Sequence, residues 1–258
     1  MKQPTQHWEA LDKLILVAGH AVYISAELSV ADRDENWVLK DFQKGEPPRY
    51  IEHIRFGVEL AESQPKSLLV FSGGQTRLEA CPRSEARSYY LLADQFVWWQ
   101  KTDVQERATT EEFARDSFEN LLFSIARFRE CTAHYPNSIE IISWAFKRDR
   151  FDLHRQTLRW PGDVQHYKYH GVNNPDDLDG SLKGEAKTLA AFDRDPFGTA
   201  PYLQAKRTRR NPFHRQHPYA ESCPEIANLL NSNPMNRETA EDPLPWAFSN
   251  SNRDGRSI

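Results

Sequence analysis

The chain has 258 residues, 39% of them hydrophobic and 27% charged, with 33 Lys and Arg against 37 Asp and Glu, a net charge of -4 and a mean hydropathy of -0.74. That length suits one α/β domain with a trailing extension, and the acidic balance argues against duplex nucleic acid as the main partner. The longest apolar stretch, Leu14 to Ile24, is broken by Gly19 and His20 and is too short to span a bilayer.

The N-terminal stretch lacks the apolar segment of a secretory signal. Cys81, Cys131 and Cys223 are odd in number, widely separated and without a C-x-x-C. They argue against a disulfide framework and a thiolate zinc site, and they fit a reducing compartment, so the expected location is cytoplasmic.

In chain order, Lys13 to Ala18 is a continuous apolar run ending at Gly19-His20, which predicts a strand buried on both faces of a sheet. A charged loop follows, through Gly45 to Pro48. Ile51, Ile54, Val58 and Ala61 recur at helical spacing, so Tyr50 to Glu62 predicts a helix. Ser67 to Phe71 reads as a second buried strand closed by Ser72-Gly73-Gly74, and Ser84 to about Trp98 as a helix. The clearest helix places Phe118, Leu121, Leu122, Ile125 and Ala126 on one stripe and runs to about Ala133.

Ser138 to Trp144 predicts a strand, Lys147 to Arg159 a charged helix, and Val164 to Tyr169 another strand. Gly184 to Phe192 and Pro224 to Leu230 are expected to be helical. Strands alternating with helices imply an α/β fold with a mostly parallel central sheet covered on both faces. Residues 1–232 are expected to form this unit, with an extension from about 171. Residues 233–258, rich in Asn, Arg, Ser and Pro, are expected to be disordered.

Ligands of open parallel sheets bind beyond the carboxyl ends of the strands, which singles out three segments. These are Gly19-His20, Ser72 to Arg77 and Phe146 to Arg150. Gly73 and Gly74 let backbone N–H groups approach an anion, with Ser72, Thr76 and Arg77 adding donors. The simpler alternative is a strand-exit turn that needs glycine. The segment is neither a Walker A loop nor a G-x-G-x-x-G fingerprint.

Lys147, Arg148 and Arg150 open a helix whose dipole is already positive there. Each cation costs roughly 0.3–1 kcal/mol, partly offset by Asp149, and a bound anion would relieve the conflict unless the side chains reach into solvent. Between Thr109 and Asn120, Asp116 and Glu119 resemble a capping box, whereas Glu111, Ser117 and Asn120 are site candidates. His214-x-x-His217 lacks a third ligand, so no metal is expected. The basic run Lys206, Arg207, Arg209, Arg210 and Arg215 is short and reads as solvated surface or as docked onto the acidic body, rather than as a nucleic-acid site.

Taken in order, several motifs are similar to those of the YdcF/SanA/ElyC-like domain family. They are a first strand leading to Gly19, Ser72-Gly73-Gly74, Ser84-Glu85-Ala86, the set Glu111, Ala114, Ser117, Glu119 and Asn120, and Phe146, Lys147 and Arg150. The match covers roughly residues 11 to 170, and the stretch from Arg210 to Ile226 resembles the fungal cytosolic branch. The resemblance implies a Rossmann-like three-layer sandwich with these motifs in one pocket, and S-adenosylmethionine as a ligand, with no assigned reaction. The membrane anchors of bacterial relatives have no counterpart here, so their envelope role does not carry over. The family usually carries His where Lys147 stands and Thr where Ser117 stands. Loss of that His removes a neutral-pH acid or base while keeping positive charge, with His20 and His154 as substitutes.

The expected function is binding of an anionic or nucleotide-like small molecule. Ser72, Gly73, Gly74, Arg77, Lys147 and Arg150 would cradle it, beside Gly19, His20, Thr76, Ser84 and Ser117. Glu85, Glu111 and Asn120 would orient polar groups or activate water. Hydrolysis or group transfer is the reaction class, with Glu111 as base once burial raises its pKa. The alternative is a non-catalytic S-adenosylmethionine or nucleotide sensor with a protein partner.

Overall fold

Every side chain of β1 (Lys13–Ala18) beyond its first residue is buried. Leu14, Leu16 and Ala18 enter one core, while Ile15 and Val17 enter another on the opposite face. Two-sided burial explains why the run is continuously apolar instead of alternating. The computed structural model describes residues 8–230 and 244–247. Within it β1 is the middle strand of a five-stranded, all-parallel sheet.

The other strands are β2 (Ser67–Ser72), β3 (Ala108–Glu111), β4 (Ser138–Ser143) and β5 (Tyr167–Gly171). Their spatial order is β3-β2-β1-β4-β5. On one face, α1 (Pro47–Glu62) and α2 (Glu85–Gln95) pack Tyr50, Ile54, Val58 and Leu92 against Ile15, Val17, Leu69 and Phe71. On the other, α3 (Ser117–Thr132) and α4 (Arg148–Thr157) bring Phe118, Leu122, Ile125 and Phe151 against Leu14, Leu16, Val70 and Ile141. This is a Rossmann-like three-layer α/β sandwich. Its strand order reverses at β1, between β2 and β4, which opens a crevice at the carboxyl ends of β1 and β4.

The extension is part of the same core. After β5 come α5 (Leu178–Arg194) and α6 (Pro201–Arg209), whose Phe192 and Leu203 join Tyr219, Ile226 and Leu230 in the cluster beneath α3. Part of the stretch expected to be disordered is docked. Trp246 is buried beside Tyr135 and Trp160, and its indole N–H donates to the Leu158 carbonyl at 2.8 Å. The remainder of 233–258 lies outside the described residues. Among the described residues no helix is long and apolar enough to cross a membrane.

Several boundaries differ from the patterning for identifiable reasons. Helix α1 begins at Pro47 because Pro47 and Pro48 occupy its first positions, where proline is preorganised. Helix α2 stops at Gln95, since Val97 to Gln100 take left-handed backbone angles that turn Trp98 into the core. Strand β5 begins at Tyr167, not Val164, which is 88% exposed in a turn fixed by the Asp163 carboxylate. Helix α5 starts at Leu178, capped by Asp177 accepting from the Gly180 amide at 3.0 Å. The edge strand β3 and helix α6 have no apolar periodicity to announce them. A two-residue antiparallel pairing, Val22–Tyr23 with Trp37–Val38, folds the first loop over the sheet end.

Candidate functional site

A cavity of about 530 Å³ occupies the crevice at the carboxyl ends of β1 and β4. Gly19 and His20 reach it from β1, and Ser143 and Trp144 from β4. Thr76, Arg77 and Glu85 come from the connection into α2, Ser117 and Asn120 from the first turn of α3, and Lys147 and Arg150 from the start of α4. The sheet topology thus gathers nine of the expected residues: Gly19, His20, Thr76, Arg77, Glu85, Ser117, Asn120, Lys147 and Arg150.

Ser72, Gly73, Gly74, Ser84 and Glu111 are not part of the lining. The amides of Gly73 and Gly74 are already used, donating to the carbonyls of Glu111 (3.0 Å) and Ala114 (2.7 Å), so they do not cradle an anion. Their glycine identity answers to packing. A Cβ at residue 73 would lie 2.7 Å from Glu85 Oε2, and one at residue 74 would lie 2.7 Å from the Ala114 carbonyl. Ser84 caps α2 by accepting from the Arg87 amide at 2.9 Å, and its hydroxyl donates to Glu112 at 2.8 Å.

Glu111 sits behind the cavity, fully buried. Its carboxylate accepts from Ser72 Oγ (2.6 Å), the Phe113 amide (2.7 Å), the Ala114 amide (3.2 Å) and Tyr219 Oη (3.3 Å). Burial, opposed by the Ser72 hydrogen bond, raises its pKa to about 7. The expectation of a raised pKa holds, but the group has no path to a substrate and serves as the knot joining β2, β3 and the following turn. Asn120 belongs to both structures, since its Nδ2 donates to Ser72 O (3.1 Å) and Oγ (2.9 Å) while the residue lines the cavity. Glu85 is the expected carboxylate that does line it, accepting from Thr76 Oγ1 at 2.5 Å.

Asp116 and Glu119 cap α3 with a one-residue variation on the expected box. Asp116 Oδ1 accepts from the Glu119 amide at 3.0 Å, while Glu119 Oε2 accepts from the Arg115 amide at 2.9 Å. Both acids also bind the buried Arg207 guanidinium, at 2.7 Å and 3.2 Å. Burial, which favours a neutral Asp116, is outweighed by Arg207, and its pKa falls far below the usual range. Arg210 donates to the Arg115 carbonyl, and Arg215 lies over the Phe113 ring. Much of the basic run of the extension is therefore docked on the body of the domain.

The cavity carries an excess of positive charge, with seven Lys and Arg against five Asp and Glu in its lining. Lys40, Arg77, Lys147, Lys206 and Arg210 all line it, and among the described residues none lies within ion-pair distance of a carboxylate. Arg77 Nε is buried with no hydrogen-bond partner. Arg150 is paired with Glu185 of α5 at 2.7 Å. Burial and the neighbouring Arg150 lower the Lys147 pKa to about 7; burial, Arg210 and Arg77 lower that of Lys40 to about 8. Glu46, the acid nearest this group on the first loop, accepts a hydrogen bond from Tyr50 Oη, and burial raises its pKa.

Two histidines complete the geometry. The His20 ring stacks on Trp144 and reaches Lys147 Nζ through Nδ1 (3.4 Å) and Ser143 Oγ through Nε2 (3.3 Å). Burial first, then Lys147, keeps it neutral. His154 is wholly buried, with Nε2 2.7 Å from Ser117 Oγ and Nδ1 unpartnered. An orphaned lone pair is better tolerated than an orphaned N–H, so Nε2 carries the proton and donates to Ser117. The Ser117 hydroxyl hydrogen is then left to donate toward the cavity. His154 is an orienting group with its pKa lowered by burial to about 3, not the neutral-pH base that its type suggests.

Sequence patterning does not reveal Lys40, Gln43 and Glu46 of the first loop, Trp144, or the α5 face that supplies Gly180, Gly184 and Glu185. Arg210 stood in a noted basic run, but the run gave no sign that it folds back on α3.

No protein-family model matches the chain, and no solved structure matches it. The chain is similar to the uncharacterized protein YOR238W of Saccharomyces cerevisiae, 28% identical over 295 aligned positions that span 91% of this chain and 97% of that protein.

Proposed function

We propose that this protein binds a small, phosphate-bearing anion in the switch-point cavity, with a nucleotide as the best-fitting class. The observation that carries this reading is the set of five cations around one concave site, Lys40, Arg77, Lys147, Lys206 and Arg210, with no carboxylate within ion-pair distance among the described residues. Keeping such charges close costs free energy in the empty protein, and a bound anion offsets that cost. Ser117 and the positive end of the α3 dipole add to the same field. Phe42, Trp144 and Phe146 supply an aromatic wall on which a base can stack.

Membership of the YdcF/SanA/ElyC-like family is part of this proposal, supported by the ordered motifs, all but Ser72-Gly73-Gly74 of which contribute a residue to the cavity lining. A cytoplasmic location is supported by three free cysteines, one exposed and one half-buried. Hydrolysis or group transfer would use Glu85, which lines the cavity as Asn120 does, in place of Glu111. S-adenosylmethionine fits less well than an anionic nucleotide, because its sulfonium would face these cations.

Native mass spectrometry of freshly purified protein, followed by denaturation, tests the reading. The expected result is a retained phosphorylated compound in the wild type that is absent from Arg77→Gln/Arg210→Gln. Release of an intact compound after long incubation favours a sensor, and release of a fragment favours an enzyme. A compound retained equally by the double variant would sink the assignment of this cavity.

A further inference from the structure

We propose that Lys147 is an amine nucleophile that condenses with the carbonyl group of an anionic aldehyde or ketone held in this cavity. The charge expected of the substrate rests on the anion-binding reading above; the amine chemistry does not.

Lys147 is placed for this role by its surroundings. It is one of the two lysines lining the cavity whose charge the fold destabilises, and no carboxylate lies within ion-pair distance to hold it as an ammonium. Arg150, in the first turn of α4, is held by Glu185 at 2.7 Å. Arg77, Arg210 and Lys40 share the same cavity and provide an anchor for a phosphate or carboxylate while the amine remains available. At pH 7 a substantial neutral fraction follows from burial and Arg150 together.

The step balances with groups present. The Nζ lone pair forms a bond to the carbonyl carbon as the C=O π electrons move to oxygen, and a proton passes from nitrogen to that oxygen to give a carbinolamine. His20 Nδ1, 3.4 Å from Nζ, is close enough to relay this proton. The nitrogen's remaining proton passes by the same His20 relay to the hydroxyl, which leaves as water while the nitrogen electron pair closes the imine, so one carbonyl and one amine give one imine and one water.

The test uses the full chain and pyridoxal 5′-phosphate as a phosphorylated aldehyde probe, with borohydride reduction and peptide mapping. Lys147 is expected to be labelled at least about tenfold faster than exposed lysines. The labelling rate should rise with pH through a midpoint near 7. That midpoint reflects the groups facing Nζ, namely His20, His53, Glu46, Arg150, Glu185 and Arg210. Lys147→Arg is expected to lose the label. Labelling spread over surface lysines, or a midpoint near that of an ordinary lysine, with pyrophosphate binding intact, would overturn the amine role and leave the anion reading standing. Preferential Lys147 labelling that pyrophosphate does not compete would uphold the amine role and remove the anion site.

Discussion

Glu111 illustrates how a side chain of functional type is absorbed by architecture. Four hydrogen bonds and complete burial make it a junction between strands, and its pKa near 7 follows from burial that those bonds only partly oppose. Because the folded value exceeds the ordinary 4.5, folding favours the protonated form. The associated stability is present in full below about pH 4.5 and is lost as pH rises through 7. Glu111→Gln keeps an acceptor for the Phe113 amide and cannot ionise. Urea unfolding at pH 4.5 and pH 8 should therefore show the wild type losing on the order of 2–3 kcal/mol relative to the variant across that interval. A constant difference between the two proteins would mean that Glu111 does not titrate in this range.

Among the elements, those with a continuous or striped apolar pattern were legible: β1, β2, β4, α1 and α3 appear within a few residues of where the spacing puts them. Strand β3 was not, because an edge strand of Ala-Thr-Thr-Glu is stabilised by pairing with β2 and has only Thr109 and Thr110 as local signal. Helix α6 hides in a basic run whose meaning depends on Asp116, far away in sequence. Helix α5 offers a clean test of the cavity. A Cβ at Gly184 meets nothing within 4 Å, yet the residue lines the cavity, so a phenylalanine there fills the site without disturbing the helix. Gly184→Phe is expected to weaken pyrophosphate binding at least tenfold while leaving the melting temperature unchanged or higher, since glycine is disfavoured by roughly 0.5–1 kcal/mol inside a helix. Unimpaired binding would place the anion elsewhere.

For the whole molecule, the sheet's order of strands decides which chemistry meets. The strand-end residues of the site were readable because parallel topology brings Gly19, Arg77 and Lys147 to one edge whatever the loops do. The contributions of Lys40 and Arg210 were not, since they arrive from a long first loop and from the extension through contacts with no local signature. Together these charges make binding depend on pH. Lys147 and Lys40, lowered to about 7 and 8, lose protons as pH rises through those values, so anion affinity should be highest below pH 7 and fall toward pH 9. At pH 8 binding should draw protons from the buffer, visible as a calorimetric enthalpy that changes with buffer ionisation heat.

The most direct test of the account is calorimetric titration of pyrophosphate and of adenosine diphosphate into the wild type and into Arg77→Gln/Arg210→Gln at pH 6.5. The account requires saturable binding of at least one of them to the wild type and a loss of tenfold or more in the double variant, about 1.4 kcal/mol or greater. Binding that is absent from the wild type, or undiminished in the variant, would contradict it.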